Sequence, residues 1–361
     1  MHLVNSKLKL RLSEEEVKQL NSYERVMKTM RHEEPDCVPI AELVVAEKVY
    51  KALMPEAACE HDFHASHLDV VTARNYYNKG PSGDGRLLDE WGITYLISPE
   101  QVHLPVGITI SLEGDDCKTH PLPDPYAPQR FSELDYIVKN YKGEKAIGWA
   151  QRAFFLWSEA LLSFEELFVG MKMEPEKIHI LFDRILDYNI KMAVRAVEKG
   201  AEIVFETDDY AYNSGPFFGP SDFEEFVFPR MKKFVDAVHK AGAYVIKHTD
   251  GNIMPILPGI VECGFDGIHS IDPLAGMDIG EVKKLYGDKL VLFGNIEPGN
   301  LLGAGTPEEV TQVVQETIRK AGKSGGYIIS TSNVIMSTVR PENYKAMLDT
   351  TREYGRYPLP L

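Results

Sequence analysis

The sequence predicts an α/β fold, and more specifically a (β/α)8 TIM barrel, from three features that recur along the chain. Short apolar runs with the length of buried strands alternate with longer segments of helical periodicity. Eight such runs can be counted, which is the number that closes a parallel barrel. Polar side chains follow nearly every run, at the end where barrel proteins collect their functional groups.

The apolar runs and the helical segments follow one another in a regular order. The predicted strands are residues 38–43, 68–73, 146–150, 203–205, 244–246, 267–271, 290–293 and 327–330. The predicted helices are residues 159–169, 175–199, 221–240, 253–263, 279–286, 307–320 and 341–354. A doubly wound parallel sheet shares this alternation and is the structural alternative.

Two segments lie outside the repeating pattern. Residues 1–33 are predicted to be an N-terminal helical extension, because residues 13–32 are polar with helical period and Ser13 precedes three glutamates in the manner of an N-cap. Residues 78–129 are rich in glycine and proline and are predicted to be an insertion near the mouth of the barrel, with possible extra strands at 91–97 and 108–112. We expect one barrel domain over residues 1–361, because such barrels often exceed the usual domain length.

Composition and charge exclude several classes of protein. The chain has 361 residues, 44% of them apolar, and a net charge of −15, which argues against nucleic acid or an anionic membrane surface as the main partner. No apolar run approaches the roughly 18 residues that span a bilayer, and the first residues lack the apolar region of a signal peptide. Four widely spaced cysteines without a C-x-x-C pair are typical of reduced thiols. We therefore expect a soluble cytoplasmic protein of enzyme size.

The residues just after the predicted strands form a polar rim. Among them, His248 and Asp250 are two apart, so an extended backbone would present both on one face. The whole set comprises Gln151, Arg152, Glu206, Asp208, Asp209, His248, Asp250, His269, Asp272, Asn295, Glu297, Ser332 and Asn333. A rim of this chemistry predicts an active site at the carboxyl ends of the strands.

His248, Asp250 and Glu206 could hold a metal ion. One imidazole and two carboxylates are a plausible three-ligand set for a catalytic zinc, which keeps a fourth position open. A His/carboxylate pair serves equally well as general acid and base. The structural alternative is a helix-capping histidine followed by an Asx turn at Asp250-Gly251.

Aromatic side chains after the third predicted strand suggest a wall for a flat substrate. Phe154, Phe155 and Trp157 follow Arg152 directly. Large aromatic residues more often end up in the core, so packing inside the protein is the alternative.

Short motifs extend this pattern from about residue 22 to the C-terminus. They read ERVMKTM at 24–30, PDCVPI at 35–40, DD at 208–209, SDF at 221–223, EFVFP at 225–229, HTDGN at 248–252, GNI at 294–296 and RPEN at 340–343. These motifs resemble the uroporphyrinogen decarboxylase-like superfamily. The resemblance implies a (β/α)8 barrel and either a decarboxylase or a corrinoid-linked methyltransferase.

Two departures from the superfamily patterns bear on the activity. True decarboxylases carry an arginine-rich N-terminal stretch that holds the porphyrinogen carboxylates, whereas residues 41–45 here read Ala-Glu-Leu-Val-Val. The methyltransferases that act on thiols bind zinc through His-x-Cys and a distant cysteine. Here Asp250 stands at the first cysteine and Ser332 falls near the second, so the resemblance makes Glu206 the expected third ligand. Oxygen and nitrogen ligands give a harder Lewis acid than thiolates do, suited to an ether oxygen.

The resemblance therefore implies a methyltransferase that demethylates a methoxylated, aromatic substrate. The expected cofactors are zinc and a corrinoid (cobalamin) carried by a partner corrinoid protein, and the chain is compatible with a homodimer. The expected catalytic residues are His248, Asp250, Asp208 and Asn295, and the expected substrate-binding residues are Asp209, Arg152, Phe154, Trp157 and Ser332. The alternatives are a uroporphyrinogen decarboxylase-like decarboxylase, a methylcorrinoid-to-acceptor methyltransferase and a non-catalytic binding barrel.

Overall fold

A parallel sheet curls around the centre of the protein. The computed structural model describes residues 19–75, 79–81, 85–97 and 103–360. Its strands are β1 (Val70–Arg74), β2 (Lys79–Pro81), β3 (Leu87–Asp89), β4 (Thr94–Ile97), β5 (His103–Val106), β6 (Ala146–Gln151), β7 (Ile203–Glu206), β8 (Ala211–Tyr212), β9 (Gly215–Pro216), β10 (Tyr244–His248), β11 (Gly267–His269), β12 (Val291–Ile296) and β13 (Tyr327–Thr331). Seven of them form the parallel sheet, in the order β1-β6-β7-β10-β11-β12-β13.

Residues 39–41 take the eighth position of the barrel. Ala41 donates its backbone N–H to Ile329 of β13 (3.0 Å), and Ile329 donates back to Pro39 (2.9 Å). On the other side, the N–H of Asp69 donates to Ile40 (2.8 Å), just before β1. The predicted strand 38–43 is thus present as a short bridge between the two edges, and the predicted α/β barrel is confirmed.

The helices cover the outside of this sheet. They are α1 (Ser22–Met30), α2 (Glu47–Leu53), α3 (Glu60–His67), α4 (Asp116–Thr119), α5 (Ser132–Tyr141), α6 (Phe155–Leu162), α7 (Phe164–Met173), α8 (Pro175–Lys199), α9 (Pro220–Asp222), α10 (Phe228–Ala241), α11 (Leu257–Glu262), α12 (Ile279–Tyr286), α13 (Leu301–Ala304), α14 (Pro307–Ala321) and α15 (Pro341–Tyr354). Short 3-10 helices lie at Pro128–Phe131 and Pro273–Ala275, and a π-helical turn lies at Phe223–Val227.

Helix boundaries follow local signals where the chain carries them. Helix α8 begins at a proline in its first turn and ends at Gly200, as the sequence predicts. The predicted helix 159–169 is instead two helices, because Ser163 adopts a φ of 84° and its side chain accepts a hydrogen bond from the N–H of Glu166 to begin α7. At the N-terminus, Asn21 and Glu24 form a capping box that begins α1. Residues 1–18 of the predicted extension lie outside the described residues.

The insertion forms a small antiparallel sheet, in the order β2-β3-β4-β5. The predicted strand 91–97 is confirmed in part as β4, whereas 108–112 contains no strand and β5 lies just before it. Trp91 of this insertion stacks on Trp157 of α6, with ring centroids 4.5 Å apart. This contact holds the insertion against the barrel.

The core has two parts. Alternate residues of each strand point into the barrel, and they include Ile203 and Phe205 of β7, Ile246 of β10 and Phe293 of β12. The intervening residues pack against the helices in a larger cluster. Because side chains alternate along a strand, the inward column of β10 continues from Ile246 to His248.

No helix in the described part of the chain is long and apolar enough to cross a membrane.

Candidate metal and active site

Three side chains converge at the carboxyl ends of β7 and β10. His248 is the last residue of β10, Asp250 lies two residues further along, and Asp209 lies in the loop after β7. The Nε2 atom of His248 is 3.9 Å from Oδ1 of Asp209 and 3.9 Å from Oδ1 of Asp250. These distances are too long for hydrogen bonds. The three atoms therefore surround a common point without bonding to one another.

The spacing of this cluster matches a cation site. The three potential ligand atoms lie within 4.8 Å of one another, and no other His, Cys, Asp or Glu group in the described residues meets this criterion. Tetrahedral ligands about 2.1 Å from zinc lie roughly 3.4 Å apart, so each of the two 3.9 Å distances from His248 Nε2 would have to shorten by about 0.5 Å. His248 is 9% exposed, and its Nε2 has no hydrogen-bond partner in the described structure.

Hydrogen bonds fix the two carboxylates. Asp250 accepts a hydrogen bond from Ser270 Oγ at one oxygen (3.1 Å) and from Asn333 Nδ2 at the other (2.6 Å), and its own N–H donates to Asp209 (3.0 Å). The turn needs Gly251, whose φ is +84° and whose added Cβ would lie 2.6 Å from the carbonyl oxygen of Ala211. The two carboxylates are thus held close together before any ligand arrives.

The closeness of the two carboxylates affects the protonation of Asp250. Burial raises the pKa of the Asp250 carboxyl above its usual value; the neighbouring His248 opposes the rise, and Asp209 adds to it. A cation between these groups would remove the repulsion between the two carboxylates.

A second histidine, His269, lies next to His248. His269 of β11 is the register partner of His248, so both rings project to the same side of the sheet. Their Nδ1 atoms are 2.6 Å apart, and Nε2 of His269 lies 3.0 Å from the carbonyl oxygen of Thr331. Burial, and then the neighbouring His248, lower the pKa of His269 well below its usual value, so this ring is neutral at pH 7.

The predicted third ligand, Glu206, does not lie in the cluster. Glu206 pairs in register with Lys247, and Lys247 points to the opposite side of β10 from His248. The buried carboxylate of Glu206 forms an ion pair with Lys247 Nζ and accepts a hydrogen bond from the N–H of Asp208 (2.9 Å). The prediction of Glu206 as a ligand is therefore wrong, and Asp209, predicted to bind substrate, occupies that place.

Asp208 holds a helix in place. Its carboxylate accepts hydrogen bonds from the backbone N–H groups of Phe154 (2.7 Å), Phe155 (2.8 Å) and Leu156 (3.2 Å) at the start of α6. It is fully buried, so the structure corrects its predicted catalytic role. Phe154 is also wholly buried and packs on Phe182, with ring centroids 5.0 Å apart, which rules out its predicted contact with substrate.

A cavity of about 540 Å³ opens beside His248. Its wall includes Arg152 and Trp157, both predicted to bind substrate, and Lys79 from the insertion. The guanidinium of Arg152 lies 5.4 Å from the centre of the Trp157 ring and forms no hydrogen bond or ion pair with any described residue. The remaining lining residues are Leu43, Val44, Arg74, Asn75, Glu133, Ala150, Gln151, Thr207 and Val334. Arg74, Lys79 and Arg152 bring three cations to this wall, and Arg74 is paired with Glu60 (2.7 Å).

Asn295 and Ser332 do not line this cavity. Asn295 donates its amide to the carbonyl of Ile271 (2.8 Å) and is almost fully buried. Ser332 is buried and donates its backbone N–H to the carbonyl oxygen of Ile296 (2.8 Å). The Asn295 side chain therefore stabilises a loop at the rim, and Ser332 is buried away from the cavity, which corrects the predicted catalytic contact of Asn295 and substrate contact of Ser332.

Sequence reasoning overlooked Lys247. A lysine between the apolar run 244–246 and His248 is a signal that could have been used, because a buried ammonium requires a carboxylate partner. That partner is Glu206.

The family model of uroporphyrinogen decarboxylase (URO-D) matches residues 128–354. The chain belongs to this family. Uroporphyrinogen decarboxylase of Pseudoalteromonas atlantica is 27% identical over 263 residues, which cover 66% of this chain and 68% of the relative. The same enzyme of Aliivibrio salmonicida is 27% identical over 258 residues, covering 65% and 67%.

A solved structure shares the whole fold. A methyltransferase from Methanosarcina mazei superposes with a TM-score of 0.73 over 93% of this chain and 99% of its own, at 17% sequence identity. That identity establishes a common fold and no more. Family membership and the enzymes that share the fold support an enzyme, whereas the choice of reaction depends on the site.

Proposed function

We propose that this protein is a corrinoid-dependent methyltransferase that demethylates an aromatic methyl ether. The observation that carries the proposal is the Asp209–His248–Asp250 cluster, because it combines hard oxygen and nitrogen ligands at the edge of a substrate-sized cavity.

The three residues fit a zinc ion. An imidazole nitrogen and two carboxylate oxygens leave the fourth position free for a substrate oxygen. A bound zinc would act as a Lewis acid that stabilises negative charge on the leaving oxygen. The alternative without a metal is Asp250 acting as a general acid.

The part of the cavity wall that Arg152 forms suits a substrate with an anionic substituent. The guanidinium of Arg152 lies over the almost fully buried Trp157 ring and has no hydrogen-bond partner among the described residues, so it can bind a carboxylate through two parallel hydrogen bonds. A substrate held this way would direct its methoxy group towards His248.

The reaction breaks the bond between the methyl carbon and the ether oxygen. The electron pair of this bond stays on the oxygen as a phenolate, and the methyl group forms a new bond to the reduced cobalt(I) of the corrinoid. Arg152, supported by the Trp157 ring beneath it, would orient the ether, while the cluster would stabilise the negative charge that develops on the ether oxygen. Cobalt must reach the methyl carbon directly, so a corrinoid protein would dock over the cavity.

Metal analysis and a methyl-transfer assay test the proposal together. Zinc content is measured in the wild type and in the variants His248→Ala and Asp250→Asn, with the exposed Asp288→Asn as the matched control. We expect zinc in the wild type and the control and little in the two site variants. Glu206→Gln should retain zinc, because Glu206 lies outside the cluster.

The activity assay uses free cob(I)alamin and 4-methoxybenzoate, and follows methylcobalamin by its absorbance. Formation of methylcobalamin that depends on His248 supports the proposal. Absence of corrinoid methylation with every methoxylated arene tried would overturn it.

A decarboxylase is the second candidate. The 27% identity to uroporphyrinogen decarboxylases and the cations of the cavity wall favour it. Release of carbon dioxide from a tetrapyrrole carboxylate by metal-free protein would establish this activity instead.

A further inference from the structure

A buried chain of hydrogen bonds ends at the candidate metal site. It runs from the carbonyl oxygen of Thr331 to His269 Nε2 (3.0 Å), and from His269 Nδ1 to His248 Nδ1 (2.6 Å). Thr331 and His269 are almost completely buried, at 0% and 2% exposure. The far end of the chain is His248 Nε2, which faces Asp209 and Asp250.

The chemistry of these atoms fixes where the protons are. A carbonyl oxygen only accepts, so His269 must carry its proton on Nε2. A neutral ring has one proton, which leaves a lone pair on Nδ1 of His269. His248 must then donate from its own Nδ1, and its lone pair is on Nε2.

The opposite pair of tautomers, with the proton of His269 on Nδ1 and that of His248 on Nε2, is energetically unfavourable. It would place the lone pair of His269 Nε2 against the Thr331 carbonyl, with neither atom able to donate. A doubly protonated His269 would avoid this clash, but it would bury a charge with no carboxylate bonded to it among the described residues. The observed geometry therefore allows one low-energy tautomer for each ring.

We infer that His269 is a positioning residue that holds His248 in the Nδ1–H tautomer and directs its Nε2 lone pair at the cation site. This inference rests on the proposed function only in assuming that the site holds a metal. A metal-ligating imidazole needs a bare nitrogen towards the metal and an oriented partner on the other nitrogen, and His269 supplies that partner.

The buried end of this hydrogen-bond chain, Thr331, is held by Glu42 from the segment that closes the barrel. Glu42 is buried, and its carboxyl group accepts hydrogen bonds from the N–H (3.0 Å) and the Oγ1 (2.7 Å) of Thr331. These two bonds hold Thr331 to residues 39–43, the segment that occupies the eighth position of the barrel. The position of the metal ligand is thus coupled to barrel closure.

Tautomers can be read directly in the metal-free protein. Long-range ¹H–¹⁵N correlation spectra of protein labelled at its histidines distinguish protonated from bare ring nitrogens, and the spectra of His248→Leu and His269→Leu assign the two rings. We expect His248 protonated at Nδ1 and His269 protonated at Nε2. A proton on His248 Nε2 would overturn the inference.

Zinc affinity gives the second readout. His269→Leu removes the partner of His248 and should weaken zinc binding by about 10–100-fold. His269→Gln can still accept from His248 and donate to Thr331, so it should stay close to the wild type. His120→Leu is the control, because it also breaks a histidine–carbonyl hydrogen bond (2.8 Å, to Trp91) but outside the cluster.

The outcomes separate the two proposals. Wild-type zinc affinity in a folded His269→Leu protein contradicts the positioning role. If the wild type binds no zinc, the metal-dependent function fails, while the spectra still decide the tautomers.

Discussion

The buried Glu42 should make the stability of this protein fall as pH rises through neutrality. Full burial raises the pKa of its carboxyl group from the usual 4.5 to about 8, and the two hydrogen bonds from Thr331 oppose this rise only in part. In the unfolded chain Glu42 ionises at its usual pKa. Between these two values the folded state therefore binds more protons, so raising the pH favours unfolding.

The size of the effect follows from the two pKa values. At about 1.36 kcal/mol per pH unit, the interval from 4.5 to about 8 corresponds to about 5 kcal/mol. The loss begins above pH 4.5 and is complete above pH 8. With about 2.1 cal/mol/K of unfolding entropy per residue over 361 residues, this energy corresponds to roughly 6 °C in melting temperature.

Glu42→Gln isolates this contribution. Glutamine has the same shape and no charge, and it can accept from the N–H of Thr331 and donate to its hydroxyl oxygen. Melting temperatures of the wild type and of Glu42→Gln are compared from pH 5 to 8.5, so that other titrating groups cancel in the difference.

We expect the wild type to lose stability relative to Glu42→Gln as the pH rises. The exposed Glu47→Gln should show a constant difference from the wild type and serves as the control. A constant difference for Glu42→Gln as well would show that Glu42 ionises normally and would refute the reasoning.

Three further predictions concern the site and its support. Lys247→Met leaves the carboxylate of Glu206 buried and unpaired, so it should cost about 3–5 kcal/mol in urea unfolding, most of it recovered by adding Glu206→Leu. Arg152→Gln removes a charged hydrogen-bond donor, worth about 1.5–3 kcal/mol, and should raise the KM for 4-methoxybenzoate by about tenfold or more. Zinc content, and activity with a methoxyarene that lacks a carboxylate, should not change in this variant. Gly251→Ala forces a side chain into a φ of +84° against the carbonyl of Ala211, so both melting temperature and zinc content should fall.

The elements of the barrel could be predicted because their signals are local. The limits of α8 (Pro175–Lys199) and α12 (Ile279–Tyr286) depend on neighbouring residues such as the first-turn proline of α8 and the glycine that follows each helix. The convergence of His248 and Asp250 was predictable for the same reason, since the two are close in the chain. A full strand was predicted at residues 38–43, but only a short bridge forms there. Its length depends on contacts with strands that are far away in sequence, so local signals could not predict it.

The remaining parts of the site depend on strand register. The sequence shows that Glu206 ends a strand, but not that it pairs with Lys247 and so points away from His248. From the sequence, Asp208 and Asp209 are equally plausible metal ligands. In the structure, Asp208 accepts hydrogen bonds from the start of α6, whereas Asp209 belongs to the cluster.

By itself, the sequence determined an α/β barrel with a histidine and carboxylates at its rim, because periodicity and chain proximity encode both. Only the tertiary structure decided which carboxylate completes the cluster and which residue orients the histidine. A side chain's direction and its partner across the sheet are set by register and closure, which are properties of the assembled barrel.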